Sequence, residues 1–85
     1  MNSKNLKQKV FNYVAVFDPA EEGGFNVSFP ELPGCVTFGR TFEEAQDKAA
    51  EVLELWLQEL SARNEKPPLK KKRPVIGEVE VAIRV

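Results

Sequence analysis

The sequence predicts an α+β domain of order β-β-β-α-β, one four-stranded mixed sheet packed on one long helix. Three observations carry that expectation. Phe25, Val27 and Phe29 alternate with polar residues, as a half-buried strand does. Val79, Val81, Ile83 and Val85 repeat the alternation near the C-terminus. Between them Phe42, Ala45, Ala49, Val52, Leu53, Trp56 and Leu60 recur at helical spacing along one stripe.

Each element has its own local cause. Residues 1–9 are polar, carry Lys4, Lys7 and Lys9, and read as a flexible start; residues 10–85 read as a single domain. Val10 to Phe17, rich in β-branched and aromatic residues on both faces, predicts a strand covered on both sides. Asp18-Pro19 breaks it, Gly23-Gly24 supplies a loop, and Phe25 to Phe29 completes a hairpin. Pro30 cannot donate to a β-ladder, so the second strand stops there. Pro33-Gly34 suits the central positions of a type II turn, and Cys35 to Gly39 forms a short third strand. Thr41 and Glu44 make a capping box, and the helix runs from there to about Arg63. Pro67-Pro68 prevents its continuation, and Glu78 to Val85 closes the sheet, parallel to the first strand by a right-handed crossover. One helix covers only one sheet face, and the first strand is apolar on both, which predicts a homodimer or higher homo-oligomer.

Composition narrows the chemistry. The 85 residues include no histidine, which removes the commonest general base and metal ligand. A lone cysteine, Cys35, excludes an internal disulfide and a zinc cluster. The net charge of −1 points neither to nucleic acid nor to an anionic membrane, and no apolar run approaches a membrane span. No catalytic residue, metal or cofactor is expected, and the expected compartment is the cytoplasm.

Tyr13, the Gly23-Gly24 pair before Phe25, the run Phe29-Pro30-Glu31-Leu32-Pro33-Gly34-Cys35, then Gly39 and Thr41 with Glu44-Ala45 together resemble the HicB-like antitoxin family. The motifs span residues 13 to about 60, and the ordered combination is specific where any single piece is not. The resemblance implies a partial ribonuclease-H-like β-β-β-α-β domain. It implies a non-enzymatic antitoxin that binds and neutralises a small basic, HicA-like toxin, itself a messenger-RNA-cleaving protein with a double-stranded-RNA-binding-like fold. Many family members add a C-terminal DNA-binding module. This sequence ends at Val85 directly after the fourth strand, so direct DNA binding is not expected of it. The alternative is an orphan domain of the same fold, an oligomeric interaction or regulatory module without a toxin.

The candidate residues divide by the weight of their simpler explanations. Phe29, Pro30, Leu32, Pro33, Gly34, Cys35, Gly39, Thr41 and Glu44 form a structural motif, since turn and cap chemistry already account for them. Trp56 reads first as core, with a dimer anchor as the sharper alternative, and Leu57, off the main stripe beside it, joins it as a candidate oligomer contact. From Thr41 to Glu65 seven acidic residues face only Lys48 and Arg63. A solvated face is the plain reading; the sharper one is a docking surface for a cationic partner through Glu43, Asp47, Glu51, Glu54, Leu55 and Glu59. Lys70 to Arg73 form a basic run with no assigned contact, open to nucleic-acid phosphates or a neighbouring acidic helix. A ribonuclease-H-like fold invites a nuclease reading through Asp18, Glu51, Glu54, Glu78 and Glu80, but the first strand lacks an acidic residue within its body.

Overall fold

The computed structural model describes residues 9–68 and 75–85. Of the start expected to be flexible over 1–9, residues 1–8 lie outside the described residues, as does the basic run Lys70–Arg73. Three strands, β1 (Val16–Pro19), β2 (Phe25–Ser28) and β3 (Val36–Gly39), form an antiparallel sheet of order β1-β2-β3. One helix, α1 (Phe42–Ala62), packs on a single face of it.

The sheet departs from expectation in two places. It has three strands among the described residues and not four: Glu78 to Val85 pairs with nothing, and every residue from 75 to 85 is exposed. Val79, Val81 and Ile83 stand 93%, 78% and 76% exposed. Full burial of such a side chain is worth about 1.5–3 kcal/mol, so the segment lacks the cover that would turn its alternation into a strand. The first strand is also shorter and later than Val10–Phe17. It pairs Val16 with Ser28 and Pro19 with Phe25, so residues before Ala15 lie beyond the point where Pro30 ends β2. Pro19 ends the strand from within it, at a position that asks for no further N–H.

The two loops follow their turn residues. Ala20 N–H donates to the Gly24 carbonyl and Gly23 N–H to the Ala20 carbonyl, with Gly23 at φ 104° and Gly24 at φ 84°. At the corner, Leu32 N–H donates to Phe29 O and Cys35 N–H to Leu32 O, both at 2.9 Å, with Gly34 at φ 95°. That is the type II geometry expected of Pro33-Gly34. The corner also enters the core. Phe29, Leu32 and Cys35 are buried with Val27, Ala45 and Ala49, and Tyr13, Phe17, Val52, Leu53 and Trp56 pack around them.

Small residues set the helix–sheet distance. Ala45 and Ala49 face the sheet, and Gly39 lies directly beneath the first helical turn. The Phe42 ring closes this end, 4.9 Å from Phe17 and 5.8 Å from Phe25 in tilted and edge-on geometry. At the far end Asn64 takes φ 59°, Asn64 N–H donates to Ser61 O and Glu65 N–H to Leu60 O, a Schellman stop with asparagine in place of glycine.

The N-terminal cap is complete. Thr41 Oγ1 accepts the Glu44 N–H at 3.0 Å, and the Glu44 carboxylate accepts the Arg40 N–H, one residue before the cap. Replacing Thr41 by alanine is expected to cost about 1 kcal/mol. In a domain of this size that is about 4–8 °C in melting temperature, read by circular dichroism. The Arg40 backbone N–H holds the Glu44 carboxyl below its ordinary value of 4.5; desolvation opposes this, and the charges of Arg40 and Lys48 add to the lowering. A carboxyl lowered by folding contributes stability above its unfolded value and loses it as pH falls through the folded one. Stability should therefore decline on acidification below about pH 4.5, and Glu44→Gln should flatten that decline in urea titrations at pH 7 and pH 3.

Candidate functional site

The strongest charge feature is carried by α1, and helical spacing decides where it points. Glu43, Asp47, Glu51 and Glu54 follow one another at steps of four, four and three. They fall on the side of the helix away from Ala45, Ala49, Val52, Trp56 and Leu60. All four are exposed. Glu54 accepts a hydrogen bond from Gln58 Nε2 at 3.4 Å. The helix's ion pairs lie elsewhere: Arg40 to Glu44 at 3.7 Å, and Arg63 to Glu59 and Glu65 at 3.9 and 3.8 Å. Glu43, Asp47 and Glu51 form no ion pair with any described residue. Among the described residues the outer row therefore presents negative charge without an ion-pair partner, whereas Glu59 is drawn toward Arg63.

Apolar surface flanks this row on both sides. Leu55 is 61% exposed and borders a shallow hollow of about 220 Å³ with Val52, Trp56, Glu59 and Arg63. On the opposite flank Leu57 borders an open groove of about 630 Å³ with Phe11, Ala50 and Leu53; its polar lining is Lys9, Glu54, Gln58 and Ser61. Trp56 is half-buried and packs on the corner, where a Cβ added at Gly34 would lie 3.2 Å from its ring.

Glu31 escaped the sequence reading. It is buried at 6% exposure, and its Oε1 accepts the Val14 N–H at 3.3 Å. Continuing the β1–β2 register places Val14 opposite Pro30, where the ladder runs out, and the carboxylate substitutes for a strand partner. Burial raises the Tyr13 phenol above its ordinary value, and the Glu31 charge raises it further. Glu31→Ala should cost about 1–3 kcal/mol by orphaning an amide, while Glu31→Gln should cost less. Glu31→Gln should also lower the titration midpoint of Tyr13, the one tyrosine, followed by ultraviolet absorbance. Burial likewise raises the Cys35 thiol, which keeps it protonated and a poor nucleophile.

The carboxylates of the nuclease reading do not meet. Asp18 points from β1 with Asn26 toward the sheet face away from the helix. Glu51 and Glu54 stand on the helix's outer side, and Glu78 and Glu80 lie in the exposed C-terminal segment. Among the described residues no group of three metal-ligating side chains converges, and no helix is long and apolar enough to cross a membrane.

A family described as HicB-like antitoxin of bacterial toxin–antitoxin system matches residues 13–79. The chain belongs to the HicB-like antitoxin family. A UPF0150 protein of Synechocystis sp. is 40% identical to this HicB-like chain over 57 residues, 67% of the chain and 78% of that protein. A UPF0150 protein of Helicobacter pylori is 40% identical over 62 residues, 73% of the chain and 85% of that protein. Antitoxin HicB 1 of Photorhabdus laumondii is 41% identical over 61 residues, 72% of the chain but 39% of that larger protein. The matched residues hold the corner, the cap and the acidic helix of this HicB-like chain together.

Proposed function

We propose that the chain is a non-catalytic antitoxin that binds a small basic, messenger-RNA-cleaving toxin of the HicA-like kind and blocks it. The observation that carries this reading is the outer row Glu43, Asp47, Glu51 and Glu54, exposed and without a cationic partner among the described residues, in a chain of an antitoxin family. Such a row steers a cationic protein by long-range attraction, and Leu55 beside it offers an apolar anchor. Glu59 lies at the margin of this surface. The reading carries a homodimer or higher homo-oligomer with it, and a cytoplasmic location, where messenger RNA is cleaved. A partial ribonuclease-H-like body would then serve as a binding scaffold, consistent with the scattered placement of its carboxylates.

Co-expression with the small basic protein encoded beside it tests this. The expected result is a complex that survives affinity purification, with growth restored in cells producing the toxin. A toxin that neither co-purifies nor loses its effect on growth would favour an orphan interaction module of the same fold.

A further inference from the structure

The residues from Glu78 to Val85 are a strand in everything but pairing. Val79, Val81, Ile83 and Val85 alternate with Glu78, Glu80 and Arg84, yet all of them stand in solvent. The body of the molecule offers a matching vacancy. Strand β1 is the outermost strand on its side of the sheet, and Phe11, in the stretch leading into it, lines with Ala50, Leu53 and Leu57 an open groove of about 630 Å³ that Lys9, Glu54, Gln58 and Ser61 also border. A strand added along β1 with its apolar side inward would place valine and isoleucine against those side chains, and its charged side outward.

We propose that this groove receives the C-terminal segment of a second copy of the chain, and that two copies exchange these segments reciprocally. The apolar half of the groove, Phe11, Ala50, Leu53 and Leu57, suits branched aliphatic side chains at every second position of an extended segment. The chain's own segment has that character and is not seated on its own groove, since every residue from 75 to 85 is exposed. Each copy therefore brings one unfilled groove and one uncovered segment, and a two-fold pair leaves neither over. Of the acidic row, Glu54 borders this groove beside Leu57, while Glu43, Asp47 and Glu51 do not line it and stay open in such a pair.

This deepens the homo-oligomer proposed above by naming the segment that holds it, and rests on that part of the reading alone. Light scattering on the purified full chain contains no toxin, so its failure and that of toxin capture are told apart. The expected result is a dimer, with Val81→Lys and Ile83→Lys each weakening dimerisation at least tenfold. Both positions are exposed, so helical circular dichroism of the separated chains should match the parent. Hydrogen exchange supplies the second measurement: amides from Val79 to Val85 should gain protection as chain concentration rises through the dimer range. A monomeric parent overturns the proposal, as does a dimer unmoved by both variants. Protection that persists where the chain is monomeric would place the segment on its own body and overturn it equally.

Discussion

Replacing Gly39 by alanine is expected to remove about 3 kcal/mol of folding stability, the upper end of what overpacking usually costs. The reason is space and not backbone conformation. A Cβ at Gly39 would fall inside van der Waals contact of the Ala45 backbone nitrogen and Cα, and 2.8 Å from its Cβ. A flexible side chain could swing away, but these atoms belong to the first turn of α1 and to a residue that is fully buried. Relief requires the helix to lift, which opens the contact with Phe17 and Phe25 made by Phe42. Thermal melting should drop by roughly 12–24 °C, taking about 4–8 °C for each kcal/mol in a domain of this size. Gly77→Ala is the control, because nothing lies within 4 Å of its added Cβ. If Gly39→Ala melts within about 4 °C of the parent, close helix–sheet packing does not depend on this glycine.

Reversing Asp47, Glu51 and Glu54 together to lysine should weaken capture of the basic toxin by about 100-fold at physiological salt. A single exposed pair contributes little, about 0–1 kcal/mol. Three reversals on one row remove attraction and add repulsion, so their effects accumulate to roughly 3 kcal/mol. Glu43 is left in place because its charge also favours the positive end of the helix dipole. The fold should be unaffected, since all three residues are exposed and point away from the core. Binding by the parent should weaken as salt rises, while the residual binding of the variant should not. Calorimetry across a salt series decides it: toxin held within threefold of the parent affinity would move the interface off this face.

Local chemistry was readable and long-range partnership was not. Thr41 with Glu44, and Pro33 with Gly34, act through neighbours three residues away, so their types and spacing announce the cap and the turn. The stripe from Ala45 to Leu60 was equally plain, because a 3.6-residue period needs no knowledge of what it packs against. The alternation from Val79 to Val85 states which side wants burial but not which edge supplies it. In this structure no edge of the same chain does. The early start assigned to β1 failed for a related reason, since a strand exists only where its partner does, and Pro30 ends β2. Glu31 was invisible because a carboxylate beside proline reads as a solvated turn residue. Only the register, which leaves Val14 facing a proline, gives it a buried task. For the candidate site, the acidic residues were legible as a group. Their division into the outer row and the Arg63-paired Glu59 needed coordinates.

The position of Trp56 gives this protein a built-in optical gauge. It is the one tryptophan in the chain, and its ring rests on the Pro33-Gly34 corner and the core beneath. Its emission therefore tracks the seating of the corner under the helix, and shifts to the red when water enters there. Trp56 also borders the hollow beside Leu55, so a ligand seated there perturbs its emission, and in the ligand-free chain fluorescence separates variants that lose their fold from variants that keep it.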